Sequence, residues 1–259
     1  MNKKTVFITG AASGIGLATA HFLHEQGYIV GMADLSLLTL EAATETWNKD
    51  NIRLFELNVT EFEAAKEIMG IICSEFDSQL DVLINNAGIL EIGSFESISN
   101  TQHRRTLDVN VMGVINLCQA AFPFLKAKKN GRSSTVINIS SASSDYGIPE
   151  LSSYSASKSA VKALTEALEI EWEKYNISVC DVVPPFVSTH MVSSQTNQSK
   201  ILDRLGVDLT AEDVVKVIYK QIKHPKTHRT VGIVYGILHR LSNISPFTTN
   251  RLVMKFLSR

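Results

Sequence analysis

The residues best suited to proton transfer in this sequence are Tyr154 and Lys158, which lie four positions apart in a helical segment. That spacing places both side chains on one helix face. A phenol, with a reference pKa of about 10, is a poor acid or base at neutral pH, but a neighbouring ammonium group favours the phenolate. Ser141 lies 13 residues before Tyr154, just after a strand-like segment, where its hydroxyl can hydrogen-bond a substrate oxygen. The combination predicts acid–base chemistry at a substrate oxygen.

A second candidate site is the turn Thr9-Gly-Ala-Ala-Ser-Gly-Ile-Gly16, which follows an apolar strand and precedes a helical pattern. Its three glycines allow a tight turn and close approach of the backbone to a ligand. The start of the following helix offers unpaired N–H groups and a positive dipole end, which favour a pyrophosphate. A glycine-rich turn without a ligand is the alternative interpretation.

Asp34 ends the second predicted strand, 18 residues after Gly16. A carboxylate there can accept hydrogen bonds from both hydroxyls of an adenosine ribose. A 2′-phosphate would be repelled by it, and residues 33–37 contain no Arg or Lys to receive one. Asp34 therefore predicts NAD rather than NADP, and a role in capping the next helix is compatible with that prediction.

These residues must be positioned by a regular framework, and the chain alternates short apolar strands with helical patterns. Such a pattern is typical of a parallel sheet covered on both faces. We predict an α/β fold, namely a single-domain, Rossmann-type doubly wound sheet of about seven parallel strands with helices on both faces. Strands are predicted at 5–8, 28–33, 52–56, 82–85, 135–139, 177–183 and 230–234, and helices at 17–26, 35–48, 61–76, 99–128 (interrupted near Pro123), 152–175, 190–204 and 211–223.

Composition excludes several classes of protein. The 259 residues are 44% hydrophobic, with 25 basic against 26 acidic residues, which excludes a disordered chain and a globally basic nucleic-acid binder. No apolar run approaches the ~20 residues of a membrane span, and no cleavable signal pattern opens the chain. The three cysteines form no Cys-x-x-Cys pair, so neither a disulfide framework nor a metal site is predicted. We expect a soluble, cytoplasmic protein.

The basic residues are concentrated at the end of the chain. Residues 214–259 hold nine bases and no acid, and 236–259 read as a basic amphipathic extension of the domain formed by 1–235. One interpretation is peripheral contact with an anionic membrane surface. The other, which we favour, is docking on the acidic body or on a neighbouring subunit.

The chain resembles the short-chain dehydrogenase/reductase family over roughly residues 3–235. The resemblance depends on the order and spacing of several pieces, which together are highly specific: Thr9–Gly16, Asn85-Asn-Ala-Gly88, Asn110 within Leu107–Gly113, Ser141, Tyr154-x-x-x-Lys158, and Pro184 with Thr189.

The resemblance implies a role for each matching residue. Tyr154 would be the general acid/base, Lys158 would tune it and bind the nicotinamide ribose, Ser141 would polarise the carbonyl or hydroxyl, and Asn110 would hold a water of a proton relay. The implied cofactor-binding set is Gly10, Ser13, Gly14, Ile15, Gly16, Asp34, Asn58, Val59, Asn86, Ala87, Gly88, Tyr154, Lys158, Pro184, Val187 and Thr189. A homodimer or homotetramer contacting through 99–128 and 152–175 is also implied.

Two positions depart from the family's pattern. Asn58-Val59 stands where Asp-Val is usual, and an Asn side-chain oxygen can still accept from an adenine amino group. Pro184-Pro185 stands where Pro-Gly is usual. Because proline fixes φ and removes an N–H, we expect a reshaped entry to the substrate-binding segment that follows Pro185, and altered cofactor contacts near Val187 and Thr189.

The predicted function is NAD-dependent interconversion of a secondary alcohol and a ketone by hydride transfer. The segments Leu90–Phe95, Ser143–Leu151 and Phe186–Lys200 are mainly apolar, which favours a lipophilic substrate bound by Ser141, Tyr154, Ile148, Phe186 and Met191. Those apolar side chains could equally pack the loops or a subunit contact. The alternatives are an NADPH-dependent 3-oxoacyl thioester reductase and a non-catalytic dinucleotide-binding regulator of the same fold.

Overall fold

The computed structural model describes most of the predicted domain. The described residues are 3–75, 79–126, 133–185, 187, 209–232, 235–237, 239, 241, 251–252 and 255. The helix predicted at 190–204 and most of the basic extension lie outside them, so those predictions stay open.

Seven parallel strands form one sheet in the order β3-β2-β1-β4-β5-β6-β7. Their apolar, largely buried residues explain why both faces need a cover of helices. The strands are β1 (Thr5–Thr9), β2 (Ile29–Asp34), β3 (Ile52–Glu56), β4 (Val82–Asn85), β5 (Ser134–Ile139), β6 (Ile177–Val183) and β7 (His228–Thr230). The order reverses between β1 and β4, which creates a crevice at their carboxyl ends.

Helices cover both faces of this sheet. They are α1 (Gly14–Glu25), α2 (Leu37–Ala43), α3 (Phe62–Glu75), α4 (Asn100–Leu107), α5 (Gly113–Lys126), α6 (Ser152–Trp172) and α7 (Ala211–Lys223). The sheet has a hydrophobic core on each face, and alternate residues of β1 pack into one or the other. Phe7 packs with residues of α3, α5 and α6, whereas Val6 and Ile8 pack with residues of α1 and α7. The predicted fold class is confirmed.

Three predicted elements differ from the structure. The long helical region is interrupted at a π-helical segment, Asp108–Met112, and not at Pro123, which lies inside α5. Pro123 falls in the last turn of α5, so its missing N–H affects only the end of the helix. The helix predicted at 35–48 is only Leu37–Ala43, and the last strand is His228–Thr230 rather than 230–234.

The helical stretch Asn100–Lys126 is long and apolar enough to cross a membrane by composition, with 44% of its most apolar window buried inside the domain. Leu117, Cys118 and Leu125 of this stretch belong to the core formed with α3 and the sheet. Burial in this core therefore accounts for part of its apolar character.

The three cysteines, Cys73, Cys118 and Cys180, are free and buried. Burial raises the pKa of the Cys73 and Cys118 thiols to about 12, and it also raises that of Cys180. Each therefore acts as an apolar core residue.

Gly31 of β2 lies where the packing leaves no room for a side chain. A Cβ at this position would lie 2.2 Å from Ile72 Cδ1 and 2.7 Å from Phe7 Cδ2, whereas one at Gly70 of α3 would meet nothing within 4 Å. We expect Gly31→Ala to lower the free energy of unfolding by ~1–3 kcal/mol through overpacking. The control Gly70→Ala should raise it by about 0.5–1 kcal/mol. Urea titrations of the three proteins measure both changes, and equal stability of the two variants would contradict this account of β2.

Candidate active site

A cavity of about 690 Å³ opens at the carboxyl ends of the central strands, on both sides of the β1/β4 crevice. Most residues predicted to bind a cofactor or to act in catalysis line it. They are Gly10, Ser13, Gly14, Ile15, Asp34, Asn58, Val59, Asn86, Ala87, Gly88, Ser141, Tyr154, Lys158, Pro184 and Val187. The fold thus brings together residues that are up to 177 positions apart in the sequence, from Gly10 to Val187.

The glycine-rich turn is closely packed against the end of β4. Gly10 and Gly14 have φ values of 63° and 53°, which favour glycine. A Cβ at Gly16 would lie only 2.1 Å from the Gly10 carbonyl oxygen. Asn86 Nδ2 donates hydrogen bonds of 2.9 Å to the carbonyls of both Thr9 and Gly10. The turn therefore has one compact shape, set by glycine and by the Asn86 amide.

The start of α1 suits an anion. Ser13 is the N-cap residue but its side chain makes no capping hydrogen bond. Ser13, Gly14 and Ile15 line the cavity, so the first N–H groups of the helix are available to a ligand there. This is the arrangement by which helix N-termini bind phosphate groups.

Asp34 is held with its carboxylate at the cavity wall. Its Oδ2 accepts a hydrogen bond of 2.9 Å from the Ala12 N–H, and its Oδ1 accepts one of 2.8 Å from the Leu35 N–H. The helix that follows is capped by Ser36, whose Oγ accepts from the Thr39 N–H. Asp34 is therefore not the cap of α2, and each of its oxygens has a further lone pair for a ligand.

Asn85 and Asn110 are buried, and their side chains link neighbouring elements beside the cavity by hydrogen bonds. Asn85 Nδ2 donates to Asn138 Oδ1 at 2.8 Å, which joins the ends of β4 and β5. Asn110, in the π-helical segment, accepts from the Ile89 N–H at 2.8 Å and donates to the Ile89 carbonyl and to Ser157 Oγ. It fixes the loop after β4 against α6 but does not line the cavity, so its part in a water relay stays a prediction.

Lys158 is anchored by the neighbouring strand. Its Nζ donates a hydrogen bond of 2.8 Å to the Ile139 carbonyl at the end of β5, and it lies 5.6 Å from the centre of the Tyr154 ring. Burial lowers the pKa of Lys158 to about 8. The cause is desolvation, which disfavours the charged amine and brings its pKa well below the usual lysine value.

The pKa of Tyr154 changes in the direction opposite to our prediction. Burial raises it, and the hydrogen bond with Ser141 only partly opposes that effect. The sequence showed the spacing of Tyr154 and Lys158 but not their surroundings, in which Lys158 is buried and Tyr154 half-buried. A phenol with a raised pKa stays protonated, which suits the donation of a proton to a substrate oxygen.

Some site residues were missed and some predicted ones lie elsewhere. Thr101, Arg104, Arg105 and Asp108 line the cavity from α4 and its π-helical continuation. No motif marks them, because only the packing of α4 beside the loop after β4 brings them there. Ile148 and Gly16 do not line the cavity. Ile148 is buried, and Gly16 packs behind the turn. Phe186, Thr189 and Met191 lie outside the described residues.

The parallel sheet, the glycine-rich turn and the cavity at the strand ends define a dinucleotide-binding α/β protein of Rossmann type. Residues 4–200 match the family model described as short chain dehydrogenase. The chain therefore belongs to the short-chain dehydrogenase family and is an oxidoreductase of that family.

Two relatives and one solved structure illustrate the similarity. The chain is 35% identical over 205 residues to a 3-ketodihydrosphingosine reductase from Bacteroides thetaiotaomicron, covering 77% of this chain and 72% of the relative. It is 30% identical to the 3-oxoacyl-[acyl-carrier-protein] reductase FabG of Thermotoga maritima, covering 91% and 98% of the two chains. A short chain dehydrogenase/reductase from Burkholderia phymatum in complex with NAD superimposes with a TM-score of 0.82 at 22% identity, covering 93% of this chain and 92% of that one.

The packing of Gly16 leads to a testable prediction for ligand binding. In Gly16→Ala the new Cβ must displace the Gly10 carbonyl, so the turn should open. We expect the Kd for dinucleotide, measured by fluorescence titration, to rise by about tenfold or more, the equivalent of about 1.4 kcal/mol. Gly70→Ala, which meets no neighbour, is the control. Unchanged affinity in Gly16→Ala would rule out the turn as the phosphate-binding element.

Proposed function

We propose that this protein interconverts a secondary alcohol and a ketone by hydride transfer, with NAD as the cofactor. One observation supports this most directly: a single cavity holds the glycine-rich turn and Asp34 on one side and Ser141, Tyr154 and Lys158 on the other. Nucleotide-binding groups and acid–base groups thus face the same space. A nicotinamide dinucleotide fits this cavity, since the uncapped start of α1 suits its pyrophosphate and Asp34 suits a ribose.

The chain's own residues would supply proton transfer and orientation. When the cofactor is bound, it accepts a hydride from the alcohol carbon or donates one to the carbonyl carbon. In reduction the neutral Tyr154 phenol would give its proton to the carbonyl oxygen, and in oxidation the Tyr154 phenolate would take the hydroxyl proton as the C–H electron pair leaves the carbon. Ser141 would hold the same oxygen by a hydrogen bond. Lys158, fixed by the Ile139 carbonyl, would bind the nicotinamide ribose beside Tyr154.

The preference for NAD over NADP rests on Asp34. Its carboxylate lies at the cavity wall and would repel a 2′-phosphate. Arg104 and Arg105 line the same cavity from α4, which the sequence did not reveal, and they are the groups that could oppose this preference. Arg104 Nε lies 3.9 Å from Asp108 Oδ2, so the positive charge of Arg104 is partly compensated.

Substitution of Asp34 tests the cofactor preference. Asp34→Asn keeps the shape and one acceptor oxygen but removes the negative charge. We expect the ratio of kcat/KM for NADP to that for NAD to rise by about ten- to a hundredfold, the effect expected for one charge-assisted contact. Steady-state kinetics with both cofactors measure this ratio. A wild-type protein that already uses NADP as well as NAD would contradict the proposed preference.

The substrate we propose is lipophilic. The cavity that Ser141 and Tyr154 line is also lined by Ile89, Leu90 and Val187, which offer apolar surface. A reductase of 3-oxoacyl thioesters is the second candidate, because one relative is named as a 3-oxoacyl-[acyl-carrier-protein] reductase. Ketones and secondary alcohols of graded chain length, free and as thioesters, assayed with NAD(H) and NADP(H), distinguish the two candidates. Turnover confined to thioesters would favour the second.

Tyr154→Phe tests the proposed chemistry. Removal of the hydroxyl should lower kcat by about 10²–10⁴-fold, the usual contribution of a general acid–base group. The affinity for NAD should change little, because the ring remains. Tyr175→Phe, at an exposed position after α6, is the control. Residual turnover near the wild-type rate in Tyr154→Phe would remove Tyr154 from this role, and loss of turnover in both variants would point to a general effect on folding.

A further inference from the structure

Asp145 lies four residues after Ser141, in the substrate loop, which we define as residues 142–151. Its carboxylate is largely buried, with 8% of the side chain exposed. Three groups from two other parts of the chain converge on it. Lys162 Nζ of α6 donates to Oδ1 at 2.9 Å, and the Tyr235 hydroxyl donates to Oδ2 at 2.7 Å. His239 Nδ1 also lies 2.5 Å from Oδ2.

Two of these partners belong to the end of the chain. Tyr235 and His239 lie four residues apart in a helical stretch, so they present one face to Asp145. On the same stretch Ile237 and Leu241 are exposed, which is consistent with a helix that has one bound and one open face. Through His239, the start of the basic extension thus contacts an acidic residue of the body, while docking of the extension as a whole stays a prediction. The remainder of that extension lies outside the described residues.

The substrate loop is held along α6 by a series of side chains. Ser155 Oγ accepts from the Ile148 N–H at 3.1 Å, and Ser159 Oγ donates to the Ser144 carbonyl at 3.2 Å. Lys162 adds its contact with Asp145 one turn further on. These three residues lie on the same helix as Tyr154 and Lys158, so one helix holds both the loop and the proposed catalytic pair.

The turn that contains Ser141 is continuous with this loop. Ser144 Oγ donates to the Ser141 carbonyl at 2.7 Å, and Ser141 Oγ accepts from the Ser143 N–H at 3.2 Å. A shift of Asp145 would therefore move a turn directly bonded to Ser141. Hydrogen bonds from His239, Lys162 and Tyr235 outweigh the effect of burial and hold the pKa of Asp145 below its usual range, so the carboxylate is charged at neutral pH.

We propose that Asp145 is a positioning residue of the proposed oxidoreductase: it holds Tyr235 and His239 so that the start of the C-terminal extension is fixed against the substrate loop. This inference rests on the proposed function. Asp145 does not touch the reacting atoms. Through Tyr235, His239 and Lys162 it couples the end of the chain to the loop beside Ser141, and so sets how a substrate fits.

Asp145→Asn is the primary test, because it keeps the size of the side chain and removes its charge. The matched control is Asp213→Asn, which removes the same charge from an exposed pair with Lys216. Hydrogen exchange of the full-length protein measures, without any substrate, how firmly the start of the extension is held. Amides of residues 235–241 should exchange about tenfold faster or more in Asp145→Asn, the effect expected when a hydrogen bond to a charged group is lost, and should be unchanged in Asp213→Asn.

Kinetics separate positioning from general destabilisation. With the best substrate of the alcohol and ketone panel, KM should rise by about tenfold in Asp145→Asn while the KM for the cofactor stays within about twofold. Should Asp145→Asn fold poorly, Tyr235→Phe and His239→Gln each remove one partner and leave the loop intact. Combining His239→Gln with Asp145→Asn should add little to the effect of Asp145→Asn alone, because both remove the same contact.

Exchange and KM values equal to those of Asp213→Asn would overturn the inference. A uniform increase of exchange across the sheet, with both KM values raised alike, would also overturn it, because Asp145 would then be merely structural. A wild-type protein without turnover on any member of the panel would instead refute the proposed function, and the exchange of residues 235–241 would still decide whether Asp145 holds the extension.

Discussion

The hydrogen bond from the Lys158 amine to the Ile139 carbonyl fixes the geometry on which the candidate site depends. It joins α6, which carries Tyr154 and Lys158, to the end of β5, which leads to Ser141. Since both partners are buried, this contact is shielded from bulk water and holds helix and strand together. Burial disfavours the charged form of the amine and lowers its pKa to about 8.

Near this hydrogen bond, the buried side-chain amides of three asparagines also join strands and loops to α6. Asn85 links β4 to Asn138 of β5, and Asn138 Nδ2 donates to Thr165 of α6. Asn110 links the loop after β4 to Ser157 of α6. Each amide has both donors and an acceptor, so one side chain can satisfy backbone or side-chain groups from two elements. The cavity wall is thereby connected to one helix at several points along its length.

The sequence predicted much of this site because local patterns are enough for it. The glycine-rich turn, Asp34 and the Tyr154–Lys158 spacing are short-range features that follow strands, and the topology of a parallel sheet brings strand ends together. Arg104 and Arg105 were missed because their position depends on how α4 packs, and the raised pKa of Tyr154 was missed because burial is not visible in a spacing. The interruption at Asp108–Met112 was assigned to Pro123, since a π-helical segment has no residue signature as strong as proline.

The helix α6 has a periodicity that extends beyond Tyr154 and Lys158, the proposed catalytic pair. Tyr154, Lys158, Lys162 and Glu166 follow one another at intervals of four; Lys162 contacts Asp145, and Glu166 contacts His228, which also binds the buried Asp181. Deleting a single residue between Lys158 and Lys162 would leave Tyr154 and Lys158 in place but turn every later side chain by ~100° about the helix axis. Both contacts would then be lost together. The length of this helix segment is accordingly as constrained as its residue types, and homologues that share these contacts should tolerate insertions in the loops far better than in α6.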